Sequence, residues 1–232
     1  MLFETRGIES GYGRSQVLFG VSLRLDQGEV VTLMGRNGMG KTTTVRTIMG
    51  ILPLLKGRIL LDGKDLSGRP SHEIARRGLG YVPEGRRIFP NLTVRENLAM
   101  AAIHRRDGRW TIDKVLELFP RLAERLSNGG TVLSGGEQQM LAIGRALMTN
   151  PNLLILDEAT EGLAPVIREE IWNKLLALKE SGVSILVIDK EIDALCKIAD
   201  RHYLLEKGEI VWTGSTEEFR SSATLLETYL AV

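Results

Sequence analysis

The chain has 232 residues, of which 43% are hydrophobic and 25% are charged, a balance typical of a globular protein with one large domain or a core carrying a small subdomain. Thirty Lys and Arg residues against 29 Asp and Glu residues leave a net charge of +1, which excludes a global field of the kind that attracts nucleic acid. A single cysteine, Cys196, excludes an intrachain disulfide framework, and no apolar stretch approaches the ~20 residues of a membrane-spanning helix. Residues 1–6 carry no apolar signal-peptide segment, so we expect an intracellular protein.

In chain order, the first 30 residues are predicted to form short strands joined by turns, because glycines punctuate this segment. These glycines are Gly7, Gly11, Gly13, Gly20 and Gly28. Residues 29–34 then form a largely apolar run of strand length, which indicates a strand buried on both faces of a sheet. A helical pattern follows over residues 41–52, and Pro53 is expected to end it.

The middle of the chain changes from strands to helices. Strands are predicted over residues 58–62 and 79–83, whereas apolar positions recur at helical spacing among the charged residues that follow. We interpret residues 91–150 as a helical subdomain inserted into an α/β core, with Pro120 kinking or dividing its helices. Residues 1–232 then form a single domain that carries this insertion.

The C-terminal part returns to the α/β pattern. Residues 153–156 and 183–188 are apolar runs that predict buried strands, and an amphipathic helix separates them. Strand, helix and strand in this order predict a right-handed parallel crossover. Residues 203–214 are predicted to form a hairpin that turns at residues 207–208, followed by short helices from about Thr216.

A phosphate-binding motif joins the strand at residues 29–34 to the helix after it. Residues 35–42 read GRNGMGKT and fit the G-x-x-x-x-G-K-[ST] pattern of the P-loop. In this pattern the backbone N–H groups and the helix N-terminus face phosphate oxygens, the lysine reaches the β- and γ-phosphates, and the hydroxyl binds Mg²⁺. The alternative is a glycine-rich turn without a ligand, but the flanking strand and helix are the context that the motif requires. The candidate nucleotide-binding residues are Gly35, Asn37, Gly38, Gly40, Lys41, Thr42 and Thr43, with Thr42 also a candidate metal ligand.

Two carboxylates follow the apolar run at residues 153–156. Asp157 and Glu158 come where that strand reaches the carboxyl edge of the sheet, the edge at which ligands bind in open α/β folds. Asp157 is predicted to hold Mg²⁺ and Glu158 to polarise an attacking water, which makes Glu158 and Lys41 candidate catalytic residues. The alternative is that both acids merely end a strand and cap the next element.

A third motif, LSGGE at residues 133–137, precedes an apolar pattern of helical spacing. Ser134 and Glu137 match an S-x-x-E capping box, so one interpretation is simply a helix start. The other is a second anion-binding device, in which Gly135 and Gly136 expose N–H groups beside the Ser134 hydroxyl. The chain would then have two anion-binding sites but only one lysine-bearing loop. This mismatch indicates that the second site serves a nucleotide held by a partner chain.

With its motifs in this order, the chain resembles the ATP-binding subunit of ABC transporters over essentially its full length, and LSGGE is similar to that family's signature sequence. The resemblance implies an α/β fold: a P-loop NTPase core of mainly parallel sheet, an N-terminal antiparallel β portion and an inserted helical subdomain. It implies ATP and Mg²⁺ as ligands and a head-to-tail homo- or heterodimer, each ATP lying between one chain's P-loop and the other's signature. It also implies that Tyr12 stacks on adenine, a packed strand tyrosine being the alternative.

Residues 81–94 and 141–148 are similar to the branched-chain amino-acid uptake branch of this family, and the related urea uptake ATPases carry very similar sequences. This resemblance implies an ATP-hydrolysing subunit, peripheral at the cytoplasmic face of the cell membrane. Its implied partners are a second ATPase subunit, two transmembrane permease subunits and, indirectly, a solute-binding protein. The segment Glu84–Phe89 lies where the family receives a helix of the membrane subunit, packing within the subdomain being the alternative.

Three positions depart from the wider family pattern. Glu84 stands where most members carry Gln, and it is a candidate Mg²⁺ ligand. Residues 161–164, EGLA, replace a loop that usually ends in Asp. Lys190 takes the place of a switch histidine; it is a candidate catalytic residue that brings positive charge to the γ-phosphate, or else a solvated loop residue.

Two other classes of protein fit the sequence less well. Non-transport ABC ATPases that act on ribosomes or DNA usually carry tandem ATPase domains or a long coiled coil, whereas this sequence shows one P-loop and no heptad run. A P-loop kinase or GTPase would leave LSGGE without a role. The basic cluster of Arg105, Arg106 and Arg109 supports nucleic-acid binding only weakly, so no nucleic-acid partner is expected.

Overall fold

The computed structural model describes residues 1–103, 108–222, 225 and 229, so Arg105 and Arg106 lie outside the described residues. Its strands are β1 (Phe3–Tyr12), β2 (Ser15–Leu25), β3 (Val30–Met34), β4 (Lys56–Leu61), β5 (Lys64–Asp65), β6 (Leu79–Val82), β7 (Leu153–Asp157), β8 (Ser184–Ile188), β9 (Arg201–Glu206) and β10 (Glu209–Ser215). Its helices are α1 (Lys41–Ile48), α2 (Ser71–Arg77), α3 (Val94–Ala101), α4 (Ile112–Leu118), α5 (Pro120–Glu124), α6 (Gly135–Met148), α7 (Pro165–Glu180), α8 (Ile192–Ile198) and α9 (Thr216–Ser221). The strands form a four-stranded sheet of order β2-β1-β4-β5 and a six-stranded sheet of order β10-β9-β3-β8-β7-β6.

The first 25 residues form two long strands, so the prediction of short strands joined by turns was wrong in strand length. β1 has 10 residues and β2 has 11, and they pair antiparallel. Gly7 and Gly20 lie inside these strands with φ of +58° and +86°, at positions where the register of the pairing shifts. Because glycine adopts positive φ at little cost, these bulges bend the strands without ending them. Gly13, in contrast, does lie at the turn between the two strands.

The six-stranded sheet is parallel except at one edge, as the apolar runs predicted. β3 pairs in parallel with β8 and β9, β7 lies between β8 and β6, and β10 joins β9 antiparallel at the edge. Every residue of β3, β7 and β8 is buried, which explains why their sequences are apolar and do not alternate. The carboxyl ends of these three strands meet at one edge of the sheet, so the loops that follow them converge there.

Helices α3 to α6 lie between β6 and β7 in the chain. Pro120 is the first residue of α5 and α4 ends at Leu118, so the proline divides two helices. These helices pack closely at Gly144 of α6, where an added Cβ would lie 2.8 Å from Val115 and 3.1 Å from Leu98. The bounds of a subdomain at residues 91–150 stay a prediction.

The helix after the P-loop is shorter than predicted. α1 ends at Ile48 instead of residue 52, because Gly50 turns the chain with φ of +64°. A Cβ at Gly50 would lie 2.4 Å from the carbonyl oxygen of Arg69, so the turn also needs a residue without a side chain. The longest described helix, α7, has 16 residues, and none in the described part of the chain has the length and apolar character needed to cross a membrane.

Candidate functional site

The P-loop connects β3 to α1 through three glycines in the left-handed region. Gly35, Gly38 and Gly40 have φ of +146°, +79° and +106°, which side chains rarely tolerate. Gly40 is the N-cap residue of α1, where no described side chain caps the helix and no acidic residue lies in the first turn. The first N–H groups of α1 therefore remain available to an anion, and the helix dipole favours one.

The C-terminal hairpin supports the P-loop from behind. The backbone N–H of Gly208, in the turn between β9 and β10, donates to the carbonyl oxygen of Met39 at 3.0 Å. The N–H of Phe19 in β2 donates to the carbonyl oxygen of Gly208 at 2.9 Å. At the other end of the loop, a Cβ on Gly35 would lie 2.3 Å from the carbonyl oxygen of Leu205. The loop thus rests on backbone that lies far from it in the sequence.

Lys41 begins α1, and its side chain folds back over the loop. Its Nζ donates to the carbonyl oxygens of Gly35 at 2.8 Å and of Arg36 at 3.0 Å. The residue is only 6% exposed, and this burial lowers the pKa of the amine while the carboxylate of Glu158 opposes the shift. A cation is therefore held inside the loop on carbonyl groups that a phosphate can replace.

Thr42 and Asp157 meet where α1 faces the end of β7. Asp157 is fully buried; its Oδ1 accepts from the Thr42 hydroxyl at 3.3 Å, and its Oδ2 accepts from the Tyr81 hydroxyl at 3.2 Å. Burial raises the pKa of the Asp157 carboxyl, and these two hydrogen bonds oppose the shift. A hydroxyl and a carboxylate oxygen side by side are ligands of the kind that Mg²⁺ prefers, so this pair fits magnesium.

Glu158 turns its side chain toward the same place. Its φ of +51° is unusual for a residue with a side chain, and its N–H donates to the carbonyl oxygen of Ile188 at 2.8 Å. The side chain is 13% exposed. Burial raises the pKa of this carboxyl and the neighbouring Glu161 raises it further, whereas Lys190 lowers it. A partly buried carboxyl in a cleft with a raised pKa has the properties of a general base.

Lys190, in the loop after β8, bridges two carboxylates. Its Nζ lies 2.7 Å from Oε1 of Glu161 and 3.3 Å from Oε2 of Glu158. The hydrogen bond with Lys190 lowers the pKa of Glu161, and the same contact raises the pKa of Lys190. Glu84 comes close as well, because carboxylate oxygens of Glu84, Glu158 and Glu161 lie within 4.8 Å of one another. The structure thus groups Glu84 with the two glutamates and Thr42 with Asp157.

A cavity of about 480 Å³ opens beside these residues. It is lined by Tyr12, Val17, Asn37, Gly38, Gly40, Lys41, Thr42, Thr43, Glu84, Glu158, Glu161 and Lys190. The Tyr12 hydroxyl lies 3.4 Å from Oγ1 of Thr43, while the residue is 44% exposed. One end of Tyr12 is therefore tied to α1, and its ring is open to a planar ligand.

The signature residues are not among those that line this cavity. Ser134 is the N-cap of α6; its Oγ accepts from the Glu137 N–H at 3.3 Å, and Glu137 accepts from the Ser134 N–H at 2.7 Å. The capping box predicted from sequence is thus present. A Cβ at Gly136 would lie 2.5 Å from Ile167, and one at Gly135 would lie 2.8 Å from the Arg86 guanidinium. The contact with Ile167 explains Gly136 structurally, whereas the Arg86 guanidinium at Gly135 is the end of a flexible side chain that can move away. The role of both glycines toward a partner's nucleotide stays a proposal.

Sequence reasoning missed a buried carboxylate that ties two loops of the site together. Oδ2 of Asp189 accepts from the N–H and the hydroxyl of Thr160 at 3.2 and 2.7 Å, and Oδ1 accepts from the Lys190 N–H at 2.7 Å. The loop after β7 is thereby fixed to the loop after β8. The signal that could have found it is that Asp189 directly follows a buried strand run, as Asp157 does.

Comparison with known proteins places the chain in a family. Residues 18–161 match the family model described as ABC transporter, so the chain belongs to the ABC transporter family of ATP-binding proteins, as its motifs predicted. It is 44% identical over 225 residues to the high-affinity branched-chain amino acid transport ATP-binding protein BraG of Pseudomonas aeruginosa, covering 96% of this chain and 97% of BraG. It is 34% identical over 230 residues to the lipopolysaccharide export system ATP-binding protein LptB of Escherichia coli strain K12, covering 97% of this chain and 95% of LptB.

Solved structures confirm the fold class. A nucleotide-free ATP-binding cassette from an ABC transporter superposes with a TM-score of 0.83 at 27% identity, covering 97% of both chains. The ADP conformation of such a cassette gives a TM-score of 0.82 at 27% identity, with the same coverage. A dimeric bacterial cassette gives 0.79 at 25% identity, covering 93% of this chain and 99% of that one. Cassettes with this fold therefore bind nucleotide and form dimers.

Proposed function

We propose that this chain is the ATP-hydrolysing motor subunit of an ABC importer for branched-chain amino acids, held peripherally at the cytoplasmic face of the cell membrane. The hydrolytic part rests on one observation: Lys41, Thr42 and Glu158 line one cavity, and the buried Asp157 accepts a hydrogen bond from Thr42. The choice of importer rests on the 44% identity to BraG across nearly the whole of both chains.

The residues in and beside the cavity have different roles in ATP hydrolysis. The N-terminus of α1 and Lys41 bind the phosphates, and Tyr12 presents its ring to adenine. Thr42 and Asp157 hold Mg²⁺, with Glu84 as a further candidate ligand; the metal, when bound, neutralises phosphate charge. Glu158 accepts a proton from the attacking water, and Lys190 directs positive charge toward the γ-phosphate.

A second chain completes the site in this proposal. Ser134, Gly135, Gly136 and Glu137 face the nucleotide of a second ATPase subunit, identical or not, in a head-to-tail dimer. These residues do not line their own chain's cavity, which supports a role toward the nucleotide of another chain. ATP then favours the closed dimer through contacts that exist only in that state, and hydrolysis reopens it.

In this proposal, the segment Glu84–Phe89 of each ATPase subunit binds one permease subunit, so the dimer binds two. Phe89 is 42% exposed, and the guanidinium of Arg145 lies 4.3 Å above its ring. Arg145 also donates to the carbonyl oxygen of Arg87 at 2.6 Å, which fixes the segment against α6. An exposed aromatic ring held in place by its neighbours is suited to contact an apolar helix.

Co-purification tests this function. The chain is tagged, native membranes are solubilised in mild detergent, and the proteins recovered are identified by mass spectrometry. We expect two multi-spanning proteins and a second ATPase, and we expect Phe89→Glu to lose the multi-spanning proteins while Phe19→Glu, at another exposed aromatic residue, retains them. Recovery of ribosomal or DNA-bound proteins alone would contradict the transport function.

Two alternatives keep the ATPase and change the cargo. The similarity to LptB favours lipopolysaccharide export as the second candidate, and a urea or amide importer shares the sequence features of residues 81–94. Uptake of radiolabelled leucine and of urea by cells lacking the chain separates the importers. Identification of the co-purified membrane proteins as lipopolysaccharide exporters would replace import with export.

A further inference from the structure

We propose that Glu161 is a positioning residue, which holds the amine of Lys190 beside Glu158. The inference rests on the proposed ATP hydrolysis at this site and extends it, because neither the P-loop nor the signature assigns Glu161 any role. It also explains how a lysine can work in a place that the resemblance gives to histidine.

The geometry shows which carboxylate anchors the amine. Lys190 Nζ is 2.7 Å from Glu161 and 3.3 Å from Glu158, so the shorter contact is with Glu161. The Lys190 side chain is 48% exposed, and its flexible four-carbon chain would let an unanchored amine move into solvent. Glu161 therefore keeps the amine within reach of Glu158.

The backbone around this ion pair is itself fixed. Asp189 accepts from Thr160, which precedes Glu161, and from the N–H of Lys190. The N–H of Glu161 also donates to the carbonyl oxygen of Glu158 at 3.3 Å. Most exposed ion pairs contribute little because ordering two side chains costs entropy. Here hydrogen bonds hold the backbone of both loops in place, so the two side chains start within reach of each other.

The charges give Glu161 a second effect. Carboxylate oxygens of Glu84, Glu158 and Glu161 lie within 4.8 Å of one another, and like charges at that separation repel. Lys190 is the cation that bridges two of them. Without Lys190, Glu161 would only add repulsion at Glu158. We therefore expect Glu161 to increase kcat of ATP hydrolysis only when Lys190 is present.

A double-mutant cycle on the purified full chain tests this dependence. Wild type, Glu161→Gln, Lys190→Met and the double variant are compared for kcat and KM of ATP hydrolysis and for the Kd of a fluorescent ATP analogue without Mg²⁺. Glu161→Gln should lower kcat about tenfold when Lys190 is present and less than about twofold in the Lys190→Met background, because contacting residues are coupled. Its Kd should not rise, since a negative charge is removed from an anion site.

Controls separate positioning from structure. Glu161→Asp keeps the charge and should recover most of kcat, and Glu169→Gln, at an exposed glutamate of α7, should behave as wild type. The thermal midpoint of Glu161→Gln should match that of wild type; a fall in kcat that follows a fall in the midpoint would mean a structural role instead.

The outcomes also separate this inference from the proposed function. An equal loss from Glu161→Gln in both backgrounds, or no loss in either, overturns the positioning role. Those results leave ATP hydrolysis intact if wild type is active and Glu158→Gln is not. If wild type shows no ATPase activity at all, the proposed function fails first.

Discussion

His202 makes the stability of this protein depend on pH in a calculable way. The residue is fully buried; its Nδ1 lies 2.7 Å from the Thr32 hydroxyl, its Nε2 lies 2.8 Å from the Thr216 hydroxyl, and its ring stacks on Phe219 with centroids 4.8 Å apart. Burial lowers the pKa of His202 to about 4, the charge of Arg220 adds to the shift, and Asp200 opposes it. The folded protein therefore holds this imidazole neutral.

The sign of the effect follows from linkage. In the unfolded chain the imidazole titrates near its ordinary pKa of about 6.5. Between that pH and about 4, the unfolded state therefore binds a proton that the folded state does not bind. The stability due to neutral His202 is complete above about pH 6.5 and is lost as the pH falls toward 4. Each pKa unit corresponds to about 1.4 kcal/mol, so the free energy of unfolding loses about 2 kcal/mol between pH 7.5 and 5.0 from this residue alone.

Urea unfolding at pH 7.5 and 5.0 measures this loss when wild type is compared with His202→Gln. The glutamine cannot titrate, so the variant should lose about 2 kcal/mol less than wild type over the same interval, whatever its stability at pH 7.5. His72→Gln is the control, because His72 is exposed on α2. Equal pH dependence in wild type and His202→Gln would refute the reasoning.

Three further predictions concern the nucleotide. Glu158→Gln should bind ATP as wild type does while phosphate release falls more than about 100-fold, because the base is lost; full activity would remove Glu158 from this role. Ser134→Arg should keep the Kd of the single chain for ATP yet abolish the ATP-dependent dimer of a Glu158→Gln background in light scattering, and an unchanged dimer would exclude Ser134 from the proposed contact with the partner's nucleotide. Tyr12→Ala should weaken ATP binding about tenfold and Tyr12→Phe hardly at all in fluorescence titrations, since the ring and not the hydroxyl stacks; equal losses in the two variants would exclude stacking.

Much of the fold and the P-loop site could be predicted because their signals are contiguous in the sequence. Buried parallel strands need unbroken apolar runs, and these runs located β3, β7 and β8. Residues that follow such strands lie at one edge of the sheet, so the sequence alone predicts that the P-loop and Asp157 share one site.

Other features depend on contacts between distant residues, which spacing does not reveal. Glycines at positive φ can end a strand or bend it, and only the pairing partner shows that Gly7 and Gly20 bend theirs. The ion pair between Lys190 and Glu161 requires the loops after β7 and β8 to lie next to each other. Hydrogen bonds of the buried Asp189 hold the two loops in that position. Nothing in the local sequence of these loops indicates which acid the lysine meets.

The support of the P-loop by the C-terminal hairpin has a consequence for how the protein is made. Met39 emerges from the ribosome 168 residues before Lys207, which lies in the turn between β9 and β10. The backbone of that turn completes the support of the P-loop. At roughly 5–20 residues per second this interval lasts on the order of 10–30 s. Through that time the nascent chain contains a complete phosphate-binding sequence without the backbone that supports it, so ATP can bind the supported P-loop only after the hairpin of β9 and β10 has been synthesised.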